Sequence, residues 1–204
     1  MHYLYNKKRK DMNKQSTVIR QATANDAKRV AELIIMAMTE ECCLHFCGEE
    51  HNIDDFRNVL IRLVESDESQ YSYLNTLCAV DAYNNIIGVC TSYDGGKLHQ
   101  LRKAFIKAAK EEWGKDHSNM PDETEPGELY LDSLAVDPAH RGKGIASLLI
   151  KASIDKARQM GLPATGLLVD DNNPRAEALY SRLGFRVVGT NNWGGHPMKH
   201  MVVS

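Results

Sequence analysis

Residues 127–151 read GELYLDSLAVDPAHRGKGIASLLIK: a strand, a turn sized for a phosphate and a helix start in unbroken succession. Leu129, Leu131, Leu134 and Val136 supply apolar residues at near-strand spacing, while Tyr130, Asp132 and Ser133 interrupt strict alternation. The slip in phase between Leu131 and Leu134 predicts a β-bulge, which would leave backbone groups unpaired in mid-sheet. Asp137-Pro138 ends the strand, because proline has no N–H for a ladder and restricts the residue before it. Arg141-Gly142-Lys143-Gly144 then opens a helix with Ile145, Leu148, Leu149 and Ala152 on its apolar face and Ala146 in its first turn. Glycines without Cβ atoms let consecutive N–H groups converge on an anion, the helix start adds its positive end, and Arg141 and Lys143 add charge. A tight turn with solvated basic residues has the same pattern. Gly-x-Gly-x-x-Gly is not met and no Gly-Lys-Ser/Thr follows, which disfavours dinucleotide and P-loop readings.

Arg141, Gly144 and Ala146 fit the signature Arg/Gln-x-x-Gly-x-Gly/Ala, preceded by Leu134-Ala135-Val136-Asp137-Pro138. A second segment follows in order, in Asn173-Pro174-Arg175-Ala176 and Tyr180 through Phe185. On these residues, between about 128 and 188, the chain resembles the GNAT superfamily of acyl-coenzyme A dependent N-acetyltransferases. The first hundred residues resemble it only in the order of elements. The resemblance implies a mixed α/β fold with a central, mostly antiparallel twisted sheet of about seven strands, one parallel splayed pair, and flanking helices. It implies acetyl-coenzyme A as cosubstrate, with the diphosphate at Arg141, Gly142, Lys143, Gly144, Ile145 and Ala146. The pantetheine arm is then expected in a wedge beside Leu134, Ala135 and Val136, with Asn173 alongside. Asn173 is equally well read as a plain helix cap.

Composition narrows the alternatives. With 204 residues, 43% of them hydrophobic, the chain can bury one sizeable core, so a single domain over 16–204 is expected, with 1–15 as a flexible tail. Twenty-five basic against twenty-seven acidic residues give a net charge of -2, which offers no general attraction to nucleic acid or an anionic membrane. No apolar run approaches the roughly 18 residues of a membrane span. Cys42, Cys43, Cys47, Cys78 and Cys90 form an odd set with no secretion signal ahead of them, which fits a reducing cytoplasm. Around His45 the first three of these cysteines suggest a metal only weakly: no second spaced pair follows, so no metal is expected.

Taken in order, Val18–Ala22 reads as a strand and Ala27–Met38 as a helix, followed by a loop on the rim of the acceptor cleft. Phe56, Val59, Leu60 and Leu63 recur at helical spacing. Tyr73–Val80 and Ile86–Tyr93 read as a hairpin. Residues 94–127 form an insertion, a helix through Leu98, Leu101, Phe105 and Ala109 and then a polar run with acidic Asp122, Glu123 and Glu125. Past the signature helix come a strand over 164–169, a helix from Pro174, a strand from Phe185, a loop over 189–197 and a last strand over 198–203. Trp193 and that last strand are the candidates for a homodimer contact.

The reaction the resemblance implies is transfer of the acetyl group to a primary amine by direct attack in a ternary complex. A small-molecule amine is the first acceptor and a peptide the second; a weakly active acyl-coenzyme A binding module is the rival. A protonated amine has no lone pair, so a base or a water path must take its proton, and the departing thiolate benefits from a hydrogen bond. Tyr180 matches the family's frequent general-acid tyrosine. For the base the order is Glu128, then Asp132, with His117, His196 and Tyr130 behind them. Backbone N–H groups at Leu134 or Val136 are candidates to polarise the thioester carbonyl.

Overall fold

The computed structural model describes residues 17–194 and 196–204; the expected tail over 1–15 lies outside the described residues. One seven-stranded sheet runs in the order β1 (Val18–Gln21), β2 (Thr76–Val80), β3 (Ile86–Asp94), β4 (Glu128–Val136), β5 (Ala164–Asp170), β7 (His196–Val203) and β6 (Arg186–Trp193). Every neighbouring pair is antiparallel except β4 and β5. Those two are parallel and pair only at Glu128↔Ala164, Leu129↔Thr165 and Tyr130↔Gly166, after which β5 pairs with β7 alone. The sheet is therefore split from Leu131 onward, as the resemblance implies. The bulge is where the phase slip puts it: Thr91 faces Ser133 but Ser92 faces Leu131, leaving Asp132 as the extra residue.

Helices cover both faces because the strands are apolar on both sides. On one face α1 (Ala27–Met38), α2 (Glu40–Cys47), α3 (Ile53–Glu65) and α4 (Leu98–Trp113) close a core around Val30, Phe56, Leu60, Val89, Phe105 and Ala135. On the other, α5 (Ile145–Gln159) and α6 (Pro174–Arg182) pack with Leu131, Leu149, Leu167 and Phe185. Each fully buried leucine or phenylalanine here contributes about 1.5–3 kcal/mol.

Three expectations need correction. The rim loop after α1 contains a helix, α2: Thr39 Oγ1 accepts from Cys42 N–H at 3.3 Å, Glu40 and Glu41 favour the first turn, and Gly48 at φ +88° ends it. The strand expected from Tyr73 begins at Thr76, because Ser72 Oγ accepts from Leu74 N–H and caps a 3-10 turn over Tyr73–Asn75. The loop over 189–197 is mostly strand, β6 continuing to Trp193 and β7 starting at His196, with Gly194 at φ +59° in the turn.

Most of the polar run after α4 is exposed, Asp122 and Glu125 included, but Glu123 and Thr124 are buried. Arg102 on α4 and Glu123 are each 3% exposed and form an ion pair, with the Tyr93 hydroxyl donating to Glu123 Oε1 at 2.8 Å. Arg102 also donates to the carbonyl of Met120 at 3.2 Å, and its guanidinium lies 5.5 Å from the Trp193 ring centroid. Trp193, the candidate for self-association, is thus engaged within its own chain. Removing one partner of such a buried pair leaves an uncompensated charge. Arg102→Ala should therefore cost about 3–5 kcal/mol in urea unfolding, and a loss below about 1 kcal/mol would contradict this role.

Candidate active site

The anion loop is built by conformation before charge. Gly142 and Gly144 have φ of +75° and +79°, a region that costs other residues strain, and the space beside each is open. Gly144 stands at the N-terminus of α5, where no side chain caps the first turn, so that turn's N–H groups are available to an anion. Buried Ile145 anchors the turn while Arg141, Gly142, Lys143 and Gly144 are exposed and Ala146 partly so. Arg141 Nε donates to the Val136 carbonyl at 3.1 Å and Lys143 Nζ to that of Ala139 at 3.3 Å, so both cations are drawn over the loop.

The loop lies at the open end of the split. Leu134, Ala135 and Val136 follow the bulge on β4, in the stretch with no strand partner on the β5 side among the described residues. Asn173 Oδ1 accepts from Ala176 N–H at 3.1 Å and caps α6. Tyr180, on the same helix, packs its ring 5.8 Å from that of Phe185 beside the α5-side core. Burial, and less so the nearby Cys90, raises its phenol, so it remains a hydrogen-bond donor across the physiological range. A diphosphate-bearing thioester carrier fits these features: an uncapped helix start for the diphosphate and an opened sheet for the arm.

The two carboxylates differ sharply. Glu128, at the closed end of the split, accepts from Thr124 Oγ1 at 2.5 Å and lies 2.9 Å from His200 Nε2. Asp132, on the bulge, keeps Oδ2 buried with no hydrogen-bond partner among the described residues. Burial pushes its carboxyl up to about 7, with Arg102 pulling it back. Its charge, after burial itself, helps raise the phenols of Tyr71, Tyr93 and Tyr130 well above their ordinary value. Tyr130 is therefore a poor base.

The two histidines in the order of candidate bases are occupied elsewhere. His117 Nε2 sits 2.9 Å from the Phe46 carbonyl and its ring stacks on Phe105, while exposed His196 is 4.0 Å from Asp170. His200 and Thr124 were not singled out by sequence; their link to Glu128 crosses strands and has no local signature. Among the described residues no cluster of His, Cys, Asp or Glu is placed to hold a metal ion, and no helix is long and apolar enough to cross a membrane. A depression of about 420 Å³ lies between Arg29, Asp81, Asp137 and His140, on the β3 side of the end of β4. Its carboxylates are already engaged, Asp137 by Arg29 and the Ala139 N–H, Asp81 by its own turn.

Comparison with known proteins bears on the family and the fold. A profile of the acetyltransferase (GNAT) family matches residues 35–185. Mycothiol acetyltransferase of Propionibacterium freudenreichii is 42% identical over 65 residues, which cover 32% of this chain and 20% of that protein. The chain thus spans about a fifth of the length of that curated relative. A crystal structure described only as an acetyltransferase superposes with a TM-score of 0.76 at 27% identity, covering 91% of this chain and 97% of the other. An N-acetyltransferase from Staphylococcus aureus Mu50 gives 0.75 at 23%, covering 91% and 100%, a likeness of fold.

Proposed function

This chain belongs to the acetyltransferase (GNAT) family, and from that premise we propose that it moves an acetyl group from acetyl-coenzyme A to the primary amine of a small molecule. The observation that carries this reading is the coincidence of the uncapped, glycine-flanked start of α5 with the split between β4 and β5. Bound there, the coenzyme supplies an acetyl group activated as a thioester. The residues of the chain do the rest. First-turn amides of α5, with Arg141 and Lys143, hold the diphosphate. Backbone N–H groups of Leu134 or Val136, unpaired toward β5, are placed to hydrogen-bond the carbonyl. Tyr180 donates to the departing sulfur.

For the base, the proposal inverts the order suggested by sequence. Asp132 stands at the bulge, has an unpartnered oxygen, and carries a carboxyl raised to about 7, matched to taking a proton near neutrality. Glu128 is already shared between Thr124 and His200. The buried phenols of Tyr71, Tyr93 and Tyr130 lie within electrostatic reach of Asp132, and aromatic faces near a carboxylate favour a compact cationic acceptor. All five cysteines are free, which supports a reducing, cytoplasmic setting.

The experiment is an amine and peptide panel with acetyl-coenzyme A and mass-spectrometric detection: an acetylated small amine is expected, and tight coenzyme binding without any product would contradict the reading. On the active acceptor, Tyr180→Phe should lower kcat about tenfold with coenzyme affinity unchanged, since only the donated hydrogen bond is lost. Unchanged kcat in a chemistry-limited assay would remove Tyr180 from the mechanism.

A further inference from the structure

Glu128 and His200 bridge the sheet across an intervening strand. His200 is on β7 and Glu128 on β4, with β5 between them. Their side chains are 16% and 4% exposed, Nε2 to Oε2 is 2.9 Å, and Thr124, at the end of the insertion, donates to the other carboxylate oxygen. Such a bridge must pass over a β5 residue without a side chain. That residue is Gly166, where an added Cβ would collide with the Glu128 carboxylate. Gly166 is also the last β5 residue paired with β4, opposite Tyr130. The bridge therefore sits at the point where the two strands part.

We propose that His200 is a positioning residue for the coenzyme slot, its bridge to Glu128 fixing where β4 and β5 separate and hence the width of the gap beyond. This rests on the acyl-transfer reading above. The physical basis is a charge-assisted hydrogen bond in a setting that excludes most water, where it is stronger and more directional than a neutral one. Glu128 raises His200 above its ordinary value, chiefly through the hydrogen bond, and Glu125 adds to this. The residues opposite His200 on β5 and β6, Leu168 and Gly189, do not titrate. The charged bridge is thus complete below the ordinary histidine value and is lost as pH rises through the raised one.

The test is the calorimetric affinity for acetyl-coenzyme A from pH 6 to 9 in the wild type, His200→Gln and His200→Ala. Wild-type affinity should fall with rising pH by about fivefold or more beyond any fall in His200→Gln, whose amide still donates to Glu128 but does not titrate. His200→Ala should bind weakly throughout. Ionisations of the coenzyme and of Asp132 are common to all three proteins and cancel in the comparison. The same pH course in the wild type and His200→Gln, or wild-type affinity in His200→Ala, overturns the proposal; if the alanine variant does not fold, the glutamine comparison decides. A wild type that binds no acetyl-coenzyme A at any pH overturns the acyl-transfer reading itself, and this inference with it.

Discussion

Asp132→Asn should lower kcat by about 10²- to 10⁴-fold and at the same time raise the melting temperature at pH 8. Both effects come from one buried carboxyl. As base, it must be ionised when the acceptor ammonium arrives, so wild-type kcat/KM should climb through about pH 7 and this limb should vanish with asparagine. For stability, the folded-state value is raised from 3.8 to about 7. The folded protein then holds the proton more tightly than the unfolded chain, so stability present below about pH 4 is lost as pH rises towards 7. The loss is at most roughly 4 kcal/mol, reduced by the partial exposure of the side chain. A neutral isostere escapes it. A variant that keeps kcat, or that melts lower than the wild type at pH 8, would return the role to Glu128 or to water.

Gly144→Glu should weaken acetyl-coenzyme A binding by on the order of 100-fold or more, through like-charge repulsion where the diphosphate is held. Nothing in the chain lies within 4 Å of a Cβ built at this position, so the effect is not a clash in the free protein. Backbone strain at φ +79° adds about 1–2 kcal/mol for a non-glycine residue. Gly144→Asn separates the two causes, because asparagine tolerates this region and carries no charge. It should lose less than about tenfold in calorimetric affinity. Equal losses in the two variants would point to conformation alone.

What the sequence disclosed and what it hid divide along physical lines. The bulge at Asp132 was legible because it shifts the phase of apolar residues within β4, and the anion loop because its glycines and helix face are contiguous. The parallel pair, and with it the split, came from the resemblance. Helix α2 was hidden: Glu40–Cys47 buries only Cys43 and Cys47, too narrow a stripe to show periodicity, and it starts from Thr39 at φ +75°, a conformation threonine rarely adopts. The burial of Glu123 was not legible because its partner Arg102 is 21 residues away on a helix. The Glu128–His200 bridge spans 72 residues and depends on Gly166 lying between them in the sheet. Only register reveals it.

The most direct measurement is a crystal structure of this chain with coenzyme A. The account predicts the diphosphate on the backbone amides between Gly142 and Ala146, and the arm between β4 and β5 alongside Leu134 to Val136. A coenzyme seated elsewhere, or β4 and β5 paired beyond Tyr130 so that no gap remains, would contradict it.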